Sequence, residues 1–214
     1  MLEVKRIDSK DTYDFIMKKH YLQRKPQISI AYGLFINNKL EGCITIGKPA
    51  SNSLCEGLFG KEYKSFVYEL NRMVVNDNLP RNTLSKFLSL VLKDLKDTNI
   101  VLVSYADSGM NHHGYIYQAT NWIYTGQTKS RTDKYTQGTH SRHYDKNIDN
   151  TLRKVRTSKY RYIYIPNKKI RKQLLKKLNY DILPYPKGDN ERYILGEKMK
   201  TKIINTKTGE EFYE

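Results

Sequence analysis

Leu84, Phe87, Leu88, Val91, Leu92 and Leu95 recur at i, i+3, i+4, i+7, i+8 and i+11, the spacing of one face of an α-helix. A helix with one apolar face has to bury it against a second layer of structure. The neighbouring chain supplies that layer. Phe66 to Val75 reads as a strand before the helix, and the apolar run Ile100 to Val103 as a strand after it. Asn76-Asp77-Asn78-Leu79-Pro80-Arg81-Asn82-Thr83 breaks the chain between the first strand and the helix. The preceding strand carries two charges, Glu69 and Arg72, and a buried strand tolerates charge only when it is paired or reaches a cleft.

The remaining elements follow from local pattern. Leu2 to Ile7 reads as a first strand, followed by a helix capped by Ser9 or Asp11 that carries Tyr13, Phe15 and Ile16 and reaches towards His20. Pro26 ends that stretch. Ile28 to Ile36 and Leu40 to Ile46 form a hairpin about Asn37-Asn38-Lys39, and Ser51 to Leu58 holds a short helix. Residues 129 to 158 show no firm periodicity and are expected to form a long loop or extended arm. Tyr160 to Ile165 is then a strand, Lys168 to Leu178 an amphipathic helix, and Leu183 to Lys187 an extended closing segment. The part from 188 to 214 is expected to be a C-terminal extension ending in a hairpin about Thr206 to Glu210.

Residues 104 to 126 gather the polar groups. Ser104, Tyr105 and Asp107 follow the apolar run at a strand's carboxyl end, where ligands of α/β sheets sit. The segment after them would carry His113, Tyr117 and Asn121, or Tyr115 and Ala119, on one side of a short helix. Trp122 to Tyr124 is a further strand. Taken alone, this pattern also fits a strand-turn-helix junction whose Asp107 caps the helix.

Composition limits the class of protein. The 214 residues carry a formal charge of +16, and residues 127 to 172 hold 14 Lys/Arg against three acids. Tyr135, Tyr144, Tyr160, Tyr162 and Tyr164 are interleaved among them, a pattern that fits a polyanion: cations neutralise phosphates and flat rings stack on bases. Lys129, Arg131, Arg142, Arg153, Lys154 and Arg156 are the expected phosphate contacts. His140-x-x-His143 belongs to the same basic stretch and is read as part of it. No apolar run is long enough to cross a membrane, and the amino terminus lacks the apolar core of a signal peptide. Cys43 and Cys55 make neither a disulfide framework nor a metal spacing, so a cytoplasmic location is expected, with both as small hydrophobes.

The element order resembles the GNAT acyltransferases, and three stretches resemble the bacteriophage Mom DNA-modification family more narrowly. These are Tyr68-Glu69-Leu70-Asn71-Arg72, Ser104-Tyr105-Ala106-Asp107, and His113-Gly114-Tyr115-Ile116-Tyr117-Gln118-Ala119-Thr120-Asn121-Trp122-Ile123-Tyr124-Thr125-Gly126. The resemblance implies an α/β fold of α+β layers. Its mixed, mostly antiparallel twisted sheet would be flanked by helices and splayed between the fourth and fifth strands, with residues 1–187 as the catalytic domain and a basic insertion at about 127–158. It implies conversion of adenine in DNA to the N6-carbamoylmethyl form, which shields phage DNA from restriction. The implied pocket holds His20 and Tyr21, Glu69 and Arg72, Ser104, Tyr105 and Asp107, and then Tyr117 and Asn121.

The adenine N6 lone pair is delocalised into the ring, so this chemistry needs a group to take its proton and a fixed geometry. Asp107 is the expected base or N6 acceptor. Tyr21, Tyr105 or Tyr117 would stack on a base turned out of the duplex. Glu69 and Arg72 would order the cleft or hold the polar end of a small-molecule donor. An acetyl-CoA-like donor is what the resemblance implies, yet Arg81-Asn82-Thr83-Leu84-Ser85-Lys86 lacks the glycines of a GNAT phosphate cradle. Weak acyl-CoA binding is therefore expected, or another donor approached through Arg81, Ser85 and Lys86. The residues themselves give no metal site. For the iron that the resemblance brings with it, His20, His112 and His113 are the only loose set. Double-stranded DNA is the expected partner, and a homodimer is left open. Two alternatives also stay open here, a GNAT N-acyltransferase acting on a small amine or another modified base, and a non-catalytic nucleic-acid-binding protein.

Overall fold

The computed structural model describes residues 2–137, 151–189 and 193–214. In chain order the elements are β1 (Leu2–Arg6), α1 (Tyr13–Lys18), β2 (Ile30–Ile36), β3 (Lys39–Gly47), α2 (Asn52–Phe59), β4 (Val67–Val75), α3 (Thr83–Asp94) and β5 (Val101–Asp107). They continue with α4 (Tyr115–Ala119), β6 (Ile123–Gln127), β7 (Arg131–Lys134), β8 (Leu152–Arg156), β9 (Lys159–Tyr164), α5 (Lys168–Lys176), β10 (Lys202–Asn205) and β11 (Glu211–Tyr213).

The main sheet runs β1-β2-β3-β4-β5-β9-β6. Every neighbouring pair in it is antiparallel except β4 with β5. The mostly antiparallel, helix-flanked sheet expected from the sequence is therefore present. Its hairpin turn is made by Asn37 and Asn38, both in the left-handed region that a tight two-residue turn requires. The parallel pairing of β4 and β5 lasts three residues, Val67↔Val101 to Glu69↔Val103, after which the strands part. This opening is the splay.

The sheet has two covered faces. Leu70, Leu102 and Ala106 pack with Phe87, Leu88, Val91, Leu92 and Leu95 beneath α3. On the other face Val67, Val101 and Val103 pack with Cys55, Leu58 and Phe59 of α2 and Leu174 of α5. Val74 and Cys43 meet Phe15 and Ile16 of α1 on that second face. Burial of the five side chains Phe87, Leu88, Val91, Leu92 and Leu95, each contributing roughly 1.5–3 kcal/mol, is what makes the periodicity of α3 decisive for the fold. Cys43 and Cys55 are buried free thiols, and burial pushes Cys43 up to about 12.

Residues 129 to 158 depart from the expected loop. Their described parts form β7 and β8, which join β10 and β11 in a second sheet ordered β11-β10-β8-β7. The strands are short and carry charge on both faces, so no apolar alternation marked them. What fixes them is pairing at long range: Ile203, fully buried, lies opposite Lys154. The hairpin expected about Thr206 to Glu210 is formed, with Gly209 in its left-handed turn. His140, Arg142 and His143 lie outside the described residues. Residues 183–187 are extended without being a strand and are held by Leu183 N–H donating to Tyr124 O (3.0 Å) and by Tyr185 OH donating to Trp122 O (2.6 Å).

Candidate active site at the splay

Side chains alternate along a strand, so residues two apart share a face. Glu69 and Arg72 are three apart and would face opposite ways in a regular strand. They do not, because β4 carries a bulge: Thr45 pairs with Arg72 and Ile46 with Leu70, leaving Asn71 as the extra residue. The Asn71 amide holds the bulge, accepting from Thr45 Oγ1 (2.6 Å) and donating to Gln27 O (2.9 Å). Glu69 therefore follows Val67, and Arg72 precedes Val74, on the same face of the sheet, away from α3.

Asp107, the last residue of β5, lies on that face too. Its side chain is 2% exposed, and Lys159 Nζ pairs with its Oδ2 at 2.7 Å across the β5–β9 register. Oδ1 accepts from Thr157 Oγ1 (2.5 Å) and from Gly109 N–H (3.0 Å). Burial would raise the carboxyl pKa, but the Lys159 charge and these hydrogen bonds together hold it below the usual carboxylate range. Asp107 is thus a fixed anion. Lys159, 36% exposed, is the member of the pair that reaches solvent.

Glu69 has the opposite environment. It is half-buried at the last paired position before the splay. Its carboxylate takes no hydrogen bond or ion pair from the described residues, and burial raises its pKa against the opposing charges of Arg72 and Lys159. Arg72 is 7% exposed. Its Nη2 donates to Arg24 O (3.0 Å) and its Nη1 to Asn71 O (2.5 Å), while Nε is buried without a hydrogen-bond partner among the described residues. Burial lowers its pKa. A guanidinium held by two carbonyls and, among the described residues, by no carboxylate is suited to an incoming anion.

His20 and Tyr21 follow α1 and close this side. The rings stack at 4.3 Å, and His20 Nδ1 accepts from Leu22 N–H (3.1 Å), so its proton sits on Nε2. Burial, with the charges of Arg72, His112 and Lys159, takes His20 down to about 3, and it is neutral. Burial raises Tyr21, which stays protonated.

Ser104 and Tyr117 face the α3 side of the splay. Ser104 Oγ donates to Leu70 O (2.7 Å), the first carbonyl beyond the paired region, and so replaces a lost ladder bond. With that single hydroxyl proton committed, Tyr117 OH donates to Ser104 Oγ at 2.7 Å. Burial pushes Tyr117 up to about 12. Tyr105 points towards α2 and α5 with the apolar cluster there. Gly114, with φ +83°, is required by its neighbour: a Cβ there would fall 2.3 Å from the Tyr162 ring.

Other expected residues lie elsewhere. Asn121 is exposed in a left-handed turn beyond the end of α4, not on that helix beside Tyr117. Arg81, Ser85 and Lys86 line a groove of about 500 Å³ at the start of α3, on the opposite face from Glu69 and Arg72. The loop turns there without glycine because Asn78 and Asn82 adopt the left-handed conformation. His112 sits by Tyr21 (6.0 Å), whereas His113 packs on Tyr160 (5.4 Å). Among the described residues no three His, Cys, Asp or Glu side chains converge on a metal position, so the His20, His112 and His113 set does not fit an iron. Lys159 is a residue that sequence reasoning missed. Nothing local marks it among its basic neighbours, because only the β5–β9 register places it against Asp107.

The Mom protein family model matches residues 1–187. The chain belongs to the Mom family. It is 29% identical over 190 residues to the methylcarbamoylase mom of Escherichia phage Mu, covering 80% of this chain and 78% of that protein. Solved structures of similar fold include an N-acetyltransferase from Staphylococcus aureus Mu50, with TM-score 0.49, 10% identity, and coverage of 78% of this chain and 99% of that one. A Bacillus subtilis acetyltransferase in complex with CoA has TM-score 0.46 and 14% identity, covering 77% and 99%. The Mom match spans every strand of the splayed sheet and ends before β10. Among the described residues no helix is long and apolar enough to cross a membrane.

Proposed function

We propose that this protein converts adenine in DNA to N6-carbamoylmethyl-adenine and so protects that DNA from restriction. The observation that carries the reading is the Mom family match over 1–187, which takes in both strands of the splay with Glu69, Arg72 and Asp107. In this reading Glu69 takes the N6 proton. Its carboxylate, unpaired among the described residues, and its raised pKa make it a better base than Asp107, whose oxygens are already committed. The N6–carbon bond forms as the donor's leaving group departs with its electron pair, and Arg72 and Lys159 stabilise that developing charge. Asp107 orients Lys159. His20 and Tyr21 form the neutral wall against which the base is held. Nucleoside mass spectrometry of plasmid DNA co-expressed with the protein tests the proposal. A carbamoylmethyl-adenine peak is expected, and its absence from DNA of a producing strain would sink the reading.

A second reading, an acyl-CoA-dependent N-acyltransferase, is favoured by the groove that Arg81, Ser85 and Lys86 line at the start of α3. An acetylated base or amine in place of the carbamoylmethyl product would support it.

Duplex DNA as partner is supported by the second sheet. Lys154 is half-buried in β8, and burial together with the charges of Arg156, Lys198 and Arg24 lowers its pKa against the opposing charge of Glu214. Asp133 pairs with Arg156 (2.7 Å) and Arg131 (3.3 Å), and Arg153 donates to Thr132 O (3.1 Å). The Lys154 cluster keeps an excess of positive charge that phosphates would relieve. With about six phosphate contacts, duplex affinity is expected to fall on the order of a thousandfold between 50 and 200 mM salt. Replacing Lys129, Arg131, Arg153, Lys154 and Arg156 by Gln should flatten that slope for all sequences alike. An unchanged slope would move the interface to the basic face of α5.

A further inference from the structure

The segment from Tyr193 to Met199 lies beyond the residues matched by the family model, yet it is bound to the turn that carries His20 and Tyr21. Gly196 N–H donates to Lys19 O (3.1 Å), Met199 N–H to Tyr21 O (2.9 Å), and Gln23 Nε2 to Gly196 O (2.8 Å). Gly196 makes this approach with φ +87°, and a Cβ there would lie 3.2 Å from Lys18 O. Leu195 packs on the small core of Phe15, Ile16, Cys43 and Val74. These contacts deliver the Tyr193 ring to the site: it lies 5.1 Å from Tyr21, 5.9 Å from His20 and 6.1 Å from His112. Downstream, β10 pairs with β8, so the segment is anchored at both the turn and the second sheet.

We propose that this C-terminal segment is a working part of the active site, in which Tyr193 is a positioning residue that fixes the His20 imidazole and the Tyr21 ring. Without Tyr193 the stacked pair would lose one wall and open to solvent on that side. The imidazole would then be free to leave Leu22 N–H and to take a proton. The catalytic consequence rests on the adenine-modifying reading, whereas the contact itself does not.

Imidazole titration by nuclear magnetic resonance, with His20 assigned from a His20→Gln sample, reads the contact directly. The groups facing His20 are Tyr21 beside it, Arg72 of β4, Lys159 of β9, His112 after β5 and Tyr193. In the unaltered protein His20 is expected to stay neutral down to about 3. Tyr193→Ala should bring its titration up towards the ordinary histidine value of about 6.5, and Tyr193→Phe, which keeps the ring, should restore the low value. Modified adenine in co-expressed plasmid should fall about tenfold or more in Tyr193→Ala and be retained in Tyr193→Phe. An unchanged His20 titration in Tyr193→Ala overturns the proposal, as does undiminished modification by that variant. If the unaltered protein makes no modified base, the adenine reading fails, and the titration still decides whether Tyr193 positions His20.

Discussion

Glu69→Gln is expected to lower adenine modification by about a hundredfold to ten-thousandfold, the range a positioned general base contributes. The same substitution should leave the melting temperature unchanged or raise it. The sign follows from the environment. Burial raises the carboxyl pKa of Glu69 in the folded protein, so its contribution to stability is fully present below the unfolded pKa and is lost as pH rises through the folded one. Above that folded pKa the chain holds an unfavourable, half-buried carboxylate, and Gln removes it without changing shape. Activity of the unaltered protein should rise with pH through that same folded pKa. Glu69→Gln should abolish this acid limb and not merely shift it. Modification within about tenfold of the unaltered level in Glu69→Gln would remove Glu69 from the proton transfer.

Asp107→Asn should also lose most activity, but by another route and with a different signature. Asn keeps the shape but loses the charge opposite Lys159, and its amide can no longer accept all three of the bonds from Lys159, Thr157 and Gly109. Loss of charge-assisted bonds at a buried carboxylate should cost about 2–3 kcal/mol, with a fall in melting temperature. Because the Asp107 pKa is depressed in the folded state, its stabilisation is present above the unfolded carboxylate pKa and fades as pH falls through the folded value. The stability gap between Asp107→Asn and the unaltered protein should therefore close in strong acid. Denaturant midpoints at neutral and acid pH measure it. Loss of activity with an unchanged midpoint at neutral pH would instead return Asp107 to the role of base.

The two carboxylates show how far sequence reasoning reaches into a site. Both could be picked out as charges beside apolar runs, and both face the same cleft. The sequence reading made Asp107 the expected base, whereas the proposed mechanism gives that part to Glu69, since a carboxylate's chemistry depends on what surrounds it. Lys159 is 52 residues from Asp107 along the chain. It meets Asp107 through strand register, and it turns that carboxylate into a fixed anion.

Local pattern by itself determined α3, whose apolar stripe has one way to be buried, the β2–β3 hairpin, whose two asparagines fix the turn, and the charged strand β4. Those features depend on neighbours a few residues apart, where periodicity and turn chemistry act. Tertiary structure alone decided the rest. The bulge at Asn71 turned Glu69 and Arg72 to one face, because the residue it leaves unpaired shifts the alternation of the strand. Pairing of β8 with β10 brought short, charged strands into a sheet that no alternation announced. Tyr193 reached His20 and Tyr21 only because Gly196, Met199 and Leu195 bind its segment to the first helix and the turn after it. Each of these rests on contacts between residues far apart in the chain, and single-residue preferences carry no information about such partners.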